Sequence, residues 1–178
     1  KKIVEVLKNE KIEERKKIDL EYIKKYILMK EWCKMNLKAE KFKAYIAENN
    51  ITNFKVEESI NNNEEENARV TFHTYVKVFG QKLPAVIVMD ESIYVILRVQ
   101  VIPDIEYMKN KDEFIRCVNE MNINYKAVKY YLGADNALYL DMYIPNKNDD
   151  LDGELVMDLL NAITVHLEKE YPNWMKLL

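Results

Sequence analysis

The sequence predicts an α+β fold in which helices cover an antiparallel sheet. The spacing of apolar residues follows the order helix, four strands, helix, two strands, helix, with further helices in front. Strands that succeed one another across short turns pair antiparallel, and such a sheet buries one face under helices. The length of 178 residues and the 48% hydrophobic content suit a globular chain with one main domain.

The domain organisation follows from a change of pattern near residue 36. Residues 1–36 are predicted to form an N-terminal helical extension, since they contain neither glycine nor proline and carry apolar stripes at helical spacing. Residues 37–178 are predicted to form the α+β domain. Its first helix is expected from Leu37 to about Asn49, with Asn36 as the N-cap. The buried face of this helix is expected to consist of Phe42, Tyr45 and Ile46.

Four strands are predicted where apolar and polar residues alternate. The clearest pattern lies between Arg69 and Val78, in which every second residue is apolar or threonine. The stretch from Glu58 to Asn67 is too acidic to pack and is predicted to be a turn. The four strands are expected at Ile51–Glu57, Arg69–Val78, Leu83–Asp90 and Ile93–Val101.

A helix, two strands and a last helix complete the predicted domain. Asn110 followed by Glu113 resembles a capping box, and Asn122 is expected to end that helix in the left-handed conformation. The last helix is expected to follow the acidic stretch 149–152, because the helix dipole favours negative charge there, and to end before Pro172. These elements are expected at 110–122, Lys126–Leu132, Ala137–Ile144 and up to about Glu170.

The chain is poor in the residues that build phosphate-binding loops. It has three glycines and four prolines, 7 of 178 residues or about 4%, where an average protein carries roughly 12%. Gly80, Gly133 and Gly153 are at least 20 residues apart. The dinucleotide fingerprint, the P-loop and the nucleophile elbow each need two or more glycines within a few residues, so all three are excluded. Each glycine is predicted to turn the backbone between elements.

The residues that could carry chemistry are predicted to be structural. With only His73 and His166 in the chain, a paired-histidine zinc helix is excluded, and two distant cysteines exclude a Cys-x-x-Cys clip. His166 falls within an apolar helix stripe, and His73 falls on the polar side of its strand. Cys117 lies on the core side of its helix, where a thiol behaves as a small hydrophobe. We expect no catalytic residue, no cofactor and no metal, with a hydrolase that uses scattered carboxylates as an alternative.

One acidic loop approaches a cation site most closely. From Asn146 to Asp152 it carries an oxygen ligand at every second position, but its glycine, Gly153, stands at position eight of the loop instead of six. The sequence therefore favours a solvated loop and a helix cap over a calcium site.

Tyrosine is the most frequent aromatic residue of the chain, with twelve tyrosines against five phenylalanines and two tryptophans. Several of them occupy the outward register of their strands. Such a face is either covered by the helices of the chain itself or offered to a partner or to a second copy, and both interpretations stay open at this point. The candidate partner or dimer face consists of Tyr75, Tyr94, Ile96, Ile102, Tyr139 and Tyr143.

The charge of the chain is unevenly distributed. The net charge is −3, but residues 1–48 hold 14 basic and 9 acidic residues, a balance of +5. This balance is compatible with binding to nucleic acid or to an anionic surface, although an exposed helix of mixed charge is the favoured interpretation. The longest uncharged run, Leu159–Leu167, is too short to span a bilayer, and no signal peptide pattern is visible. With two lone cysteines, these features predict a cytoplasmic protein.

Three motifs of the chain also resemble those of a known family. They are the opening helix AEKFKAYI at residues 39–46, the helix FIRCVNEMN with two asparagines three apart at residues 114–122, and the sequence EYP at residues 170–172. From about Lys38 to Leu177, roughly four-fifths of its length, the chain resembles the YbjN family of bacterial sensory transduction regulators. The turn at residues 133–136 departs from the family pattern, in which an Asp-x-Asp-Gly turn is usual.

The resemblance implies a fold similar to that of type III secretion chaperones. These are small α+β homodimers that bind extended segments of partner proteins and have no enzymatic activity. The resemblance therefore implies that residues 38–177 form a non-catalytic protein-binding module that acts as a homodimer in the bacterial cytoplasm. It assigns no catalytic residue, and residues 1–36 lie outside it.

Overall fold

The computed structural model describes residues 24, 36–59, 69–106, 108, 110–146 and 151–177. The described residues from Asn36 onward belong to one compact unit. They form an α+β fold with three helices and six strands, which confirms the predicted fold class. Apart from Lys24 and Asn36, the predicted N-terminal extension lies outside the described residues, so the domain boundary stays a prediction. The elements are α1 (Leu37–Glu48), β1 (Lys55–Ser59), β2 (Arg69–Val78), β3 (Gln81–Met89), β4 (Tyr94–Ile102), α2 (Lys111–Asn124), β5 (Lys129–Leu132), β6 (Leu138–Pro145) and α3 (Gly153–Met175).

The six strands form one antiparallel sheet in the order β1-β2-β3-β4-β6-β5. Successive side chains of a strand point to opposite sides, so the sheet has two faces. The inner face packs against the apolar sides of the three helices in a single core. We call the opposite side the outer face.

Aromatic side chains join the helices to the inner face. Phe42 of α1 meets Phe72 of β2 edge-to-face, with ring centroids 4.9 Å apart. Trp174 of α3 lies 5.5 Å from Phe114 of α2 and 5.1 Å from Tyr130 of β5. All five side chains are almost fully buried. Because burying a large apolar side chain contributes about 1.5–3 kcal/mol, these contacts fix where the helices sit on the sheet.

Each described helix begins at a polar cap that the sequence predicts. The side-chain oxygens of Asn36, Asn110 and Asp152 accept hydrogen bonds of 3.0–3.2 Å from the first turns of α1, α2 and α3. Asn36 also donates its amide to the carbonyl of Met89 at 2.9 Å, which ties the start of α1 to the end of β3. Capping satisfies backbone N–H groups that the helix itself cannot pair.

Four predicted boundaries are wrong, one of them the start of β5, which lies at Lys129 instead of Lys126. The first strand begins at Lys55 rather than Ile51. Asn122 lies inside α2, and its amide pairs with the backbone of Tyr130, accepting from N–H at 2.7 Å and donating to C=O at 2.8 Å. The last helix continues through Pro172 to Met175. A proline removes one helical hydrogen bond, and the burial of Trp174 beyond it outweighs that loss.

The glycines serve two different purposes. Gly80 has φ +79° and follows Phe79 at φ +48°, so the two form the tight turn between β2 and β3. The prediction that all three glycines turn the backbone is wrong for Gly153, whose missing side chain leaves room for the ring of Tyr45. A Cβ atom at Gly133 would lie 2.7 Å from the ring of Tyr139. These two glycines permit close packing.

Candidate binding face

The structure places most of the predicted tyrosine face on the outer face of the sheet. Tyr75, Tyr94 and Tyr143 are exposed, with 37%, 42% and 47% of their surface accessible. Ile96 and Tyr139 point to the same side and are partly buried. The described helices all pack on the inner face, so none of them covers these rings.

The prediction that Ile102 faces outward is wrong. A register shift between Gln100 and Ile102 inserts one extra residue into β4, so that Gln100 pairs with Tyr139 and Ile102 with Leu138. Such a bulge reverses the alternation of the strand. Ile102 consequently joins Leu138 in the core and is only 2% exposed.

An ion pair that sequence reasoning missed lies in the middle of this tyrosine group. Arg98 of β4 and Asp141 of β6 are directly opposite each other in the sheet. Arg98 donates from Nε to Oδ1 at 2.8 Å and from Nη2 to Oδ2 at 2.9 Å. Tyr143 donates its hydroxyl to the same Oδ2 at 3.0 Å. The Asp141 carboxylate is fully buried, whereas the Arg98 side chain keeps 33% of its surface.

Two stacked tyrosines flank this ion pair. The rings of Tyr131 and Tyr139 lie 5.6 Å apart, and the guanidinium carbon of Arg98 lies 5.4 Å and 5.7 Å from their centres. The hydrogen bonds to Asp141 raise the pKa of Arg98. Burial, followed by the negative charge of Asp141, raises the pKa of Tyr131 to about 12. The cluster is therefore a fixed arrangement of neutral phenols around a bound ion pair.

The second tyrosine of β6 belongs to another aromatic pair. Tyr143 and Tyr94 meet edge-to-face with centroids 6.1 Å apart. Between this pair and the more distant Tyr75 lie Val86 and Val88, of which Val88 is only 3% exposed. The centre of the outer face is thus more enclosed than its two ends.

The outer face is basic although the chain as a whole is acidic. Its strand residues include six lysines and arginines and two carboxylates, a net charge of +4, against −3 for the chain. Both carboxylates are paired, Asp141 with Arg98 and Glu57 with His73. The charged residues of this face are Lys55, Glu57, Arg69, Lys77, Lys82, Arg98, Lys129 and Asp141.

A shallow groove opens where β1 begins beside β2. It encloses about 370 Å³ and is lined by residues 52–55 together with His73, Thr74 and Tyr75. Lys82 lies above the ring of Tyr75, with Nζ 4.4 Å from the ring centre. The groove therefore combines exposed aromatic surface with positive charge.

His166 has a packed environment, as its apolar helix stripe predicts. Its Nε2 atom is 2.8 Å from the hydroxyl of Tyr130, and its ring lies 4.4 Å from that of Tyr125. Burial lowers the pKa of His166. Nearby, Tyr125 donates to the buried carboxylate of Glu170 at 2.5 Å. Burial opposes ionisation of Glu170, but hydrogen bonds from Tyr125 and Asn173 outweigh it and the pKa of Glu170 is lowered.

The remaining candidates for chemistry are scattered. His73 bonds Glu57 of β1 at 3.1 Å on the sheet surface, whereas His166 contacts Tyr130 of β5. Burial raises the pKa of the Cys117 thiol, which opposes a nucleophilic role. Asp152 caps α3, as predicted, while residues 147–150 of the candidate cation loop lie outside the described residues. Within the described ranges, no cluster of His, Cys, Asp and Glu could hold a metal ion.

Comparison of the chain with known proteins finds no relative. No protein-family model, curated protein or solved structure matches the chain. Across the part of the chain that the structure describes, no helix has the length and apolar character needed to cross a membrane.

Proposed function

We propose that this chain is a non-catalytic protein-binding or regulatory module of the YbjN and type III secretion chaperone type. The observation that carries the proposal is the outer face, on which Tyr75, Tyr94 and Tyr143 are 37–47% exposed. Tyrosine is enriched at protein interfaces because it buries a large ring at small entropic cost while its hydroxyl can still hydrogen-bond.

The ordered side chains around these rings favour binding. The Arg98–Asp141 pair and its neighbouring tyrosines are held by hydrogen bonds and ring contacts before any partner arrives. A surface that is already ordered loses less conformational entropy on association than a mobile one. His166, one of the residues considered for chemistry, contributes to packing through its contact with Tyr130.

The test compares capture of partners by two pairs of variants. Tyr75→Ser and Tyr94→Ser remove exposed rings from the outer face, whereas Ile123→Ser and Val165→Ser remove exposed apolar side chains from α2 and α3. Each pair of changes is combined in one double variant. In affinity copurification from the native host, read by mass spectrometry, only the tyrosine double variant should lose specific partners. Equal capture by both variants would remove the outer face from the proposal.

We also propose that the chain is a homodimer in the cytoplasm, as the family resemblance implies. Light scattering should then give about twice the chain mass of 21.2 kDa. A mass of one chain at all accessible concentrations would refute the dimer.

A second candidate function is binding to nucleic acid or to an anionic surface through the lysine-rich N-terminal helices. The charge balance of +5 over residues 1–48 is the observation that favours it. Binding of this kind falls steeply with salt because it releases counterions. A gel shift at low salt that disappears at high salt is expected, and no shift at low salt would exclude this function.

A further inference from the structure

We propose that the outer face receives an extended acidic segment of a partner protein, which lies along the open edge of β2 beside Tyr75. This inference rests on the proposed protein-binding function and specifies the chemistry of the partner. Three features of the β1–β2 edge lead to it: a stretch of β2 that has no second neighbour among the described strands, a groove, and concentrated positive charge.

The edge of β2 extends beyond its short neighbour. β1 pairs with β2 only from Ser59 opposite Arg69 to Lys55 opposite His73. β2 continues to Val78 and is paired along that part with β3 on its other side. Among the described strands, none continues β1 beside residues 74–78. The side chain of Asn53 reaches the start of this stretch, where its Nδ2 donates to Thr74 Oγ1 at 3.3 Å. Every second residue of such a stretch directs its N–H and C=O groups to the open side, where an extended peptide can pair with them.

The groove supplies space for the side chains of that peptide. Its volume of about 370 Å³ lies between residues 52–55 and His73–Tyr75, at the point where β1 starts. Lys55 and Tyr75 line it. Residues 52–54 lead into β1 and form one wall of this space, so a bound segment would lie between them and His73–Tyr75.

Positive charge around the groove selects an acidic segment. Lys77 and Lys82 are directly opposite each other in the β2–β3 ladder, and like charges in such a position repel. Lys55 lies on the same face, opposite His73 of β2. None of these three lysines has an ion pair with a carboxylate of the described part of the chain. A carboxylate placed beside Lys77 and Lys82 would relieve their repulsion.

The geometry of the rings favours a peptide over single-stranded nucleic acid. Bases bind to aromatic side chains by stacking on open ring faces. On the outer face, Lys82 occupies one face of Tyr75, and Tyr131 and Tyr139 stack on each other. Tyr94 and Tyr143 are packed edge-to-face. These arrangements leave ring edges and lysines for contacts with peptide backbone and carboxylates.

The experiment is selection from a random-peptide phage library on the full chain. Selected peptides should be enriched in Asp and Glu, and fluorescence anisotropy with the synthetic peptides should show binding that weakens as salt is raised. The double variant Lys77→Glu, Lys82→Glu should weaken binding by about tenfold, because two favourable charge contacts become repulsive. The matched control Lys126→Glu, Lys176→Glu changes the net charge equally at other exposed positions and should change affinity less than about twofold.

The outcomes separate this inference from the proposed function. Selection of neutral or basic peptides whose binding depends on Tyr75 and Tyr94 would overturn the acidic segment and leave the binding face in place. Equal weakening by the two charge variants, or failure to select any peptide, would overturn the inference. An oligothymidine strand that binds more tightly than the selected peptides and displaces them would assign the groove to nucleic acid instead. Absence of specific protein capture by the unaltered chain would remove the proposed function itself.

Discussion

Replacing Arg98 with methionine tests whether the ion pair of the outer face holds the sheet together. The change leaves the fully buried Asp141 carboxylate without its cation, held by tyrosine hydroxyls such as that of Tyr143. Removing one member of a buried pair typically costs roughly 3–5 kcal/mol. Because the Arg98 side chain is 33% exposed, water screens part of the interaction, and we expect a loss of about 2–3 kcal/mol in the free energy of unfolding.

The assay is urea unfolding of a double-mutant cycle. The partner change is Asp141→Leu, and the double variant should return to within about 1 kcal/mol of the unaltered chain, since neither charge is then left buried alone. Arg116→Met, on the exposed side of α2, is the matched control and should change stability by less than about 0.5 kcal/mol. A loss for Arg98→Met no greater than that of the control would refute the reasoning, as would a double variant as unstable as the two single variants together.

Three further changes test other contacts. Gly153→Ala should destabilise the chain by about 1–3 kcal/mol in urea unfolding, because the added methyl group meets the Tyr45 ring; a stability equal to that of the unaltered chain would contradict this close packing. Asn122→Ala should cost about 1–3 kcal/mol and speed hydrogen exchange at the Tyr130 amide, which loses its acceptor; unchanged exchange would show that the pairing is absent in solution. The pKa of His166 is lowered in the fold, so between that pKa and the ordinary value of 6.5 the unfolded chain binds more protons. Stability should therefore fall as the pH drops through 6.5, and a His166→Gln variant with the same pH profile would exclude His166 as the cause.

The sequence contained enough information to predict the order of elements and the helix caps. Alternating apolar residues placed β2 at Arg69–Val78 without error, because a half-buried strand requires this pattern. The caps at Asn36 and Asn110 were predictable because capping is a local interaction within one turn. The continuation of α3 through Pro172 was not, because it depends on the burial of Trp174 against distant rings.

The candidate site was predictable only in part for the same reason. Alternation alone placed Tyr75, Tyr94 and Tyr143 on the outer face. It failed at Ile102, because a bulge is a property of two paired strands and leaves no periodic signal in one of them. The Arg98–Asp141 pair joins residues 43 positions apart, and its recognition required the register between β4 and β6.

The two edges of the sheet, at β5 and at β1–β2, differ in the side chains that they carry, and this difference bears on function. Unpaired strand edges promote unwanted association, so proteins usually block them. At β5 the amide of Asn122 occupies both backbone groups of Tyr130, which closes that position to another strand. At β1 the five edge residues are all exposed, and Lys55, Glu57 and Glu58 place charges of both signs there. Beyond β1, the continuing part of β2 carries Lys77, which lies opposite Lys82 of β3, so the charge there has one sign. An edge of this kind repels a second basic edge yet attracts an acidic strand, so the same lysines can prevent indiscriminate pairing and select a partner.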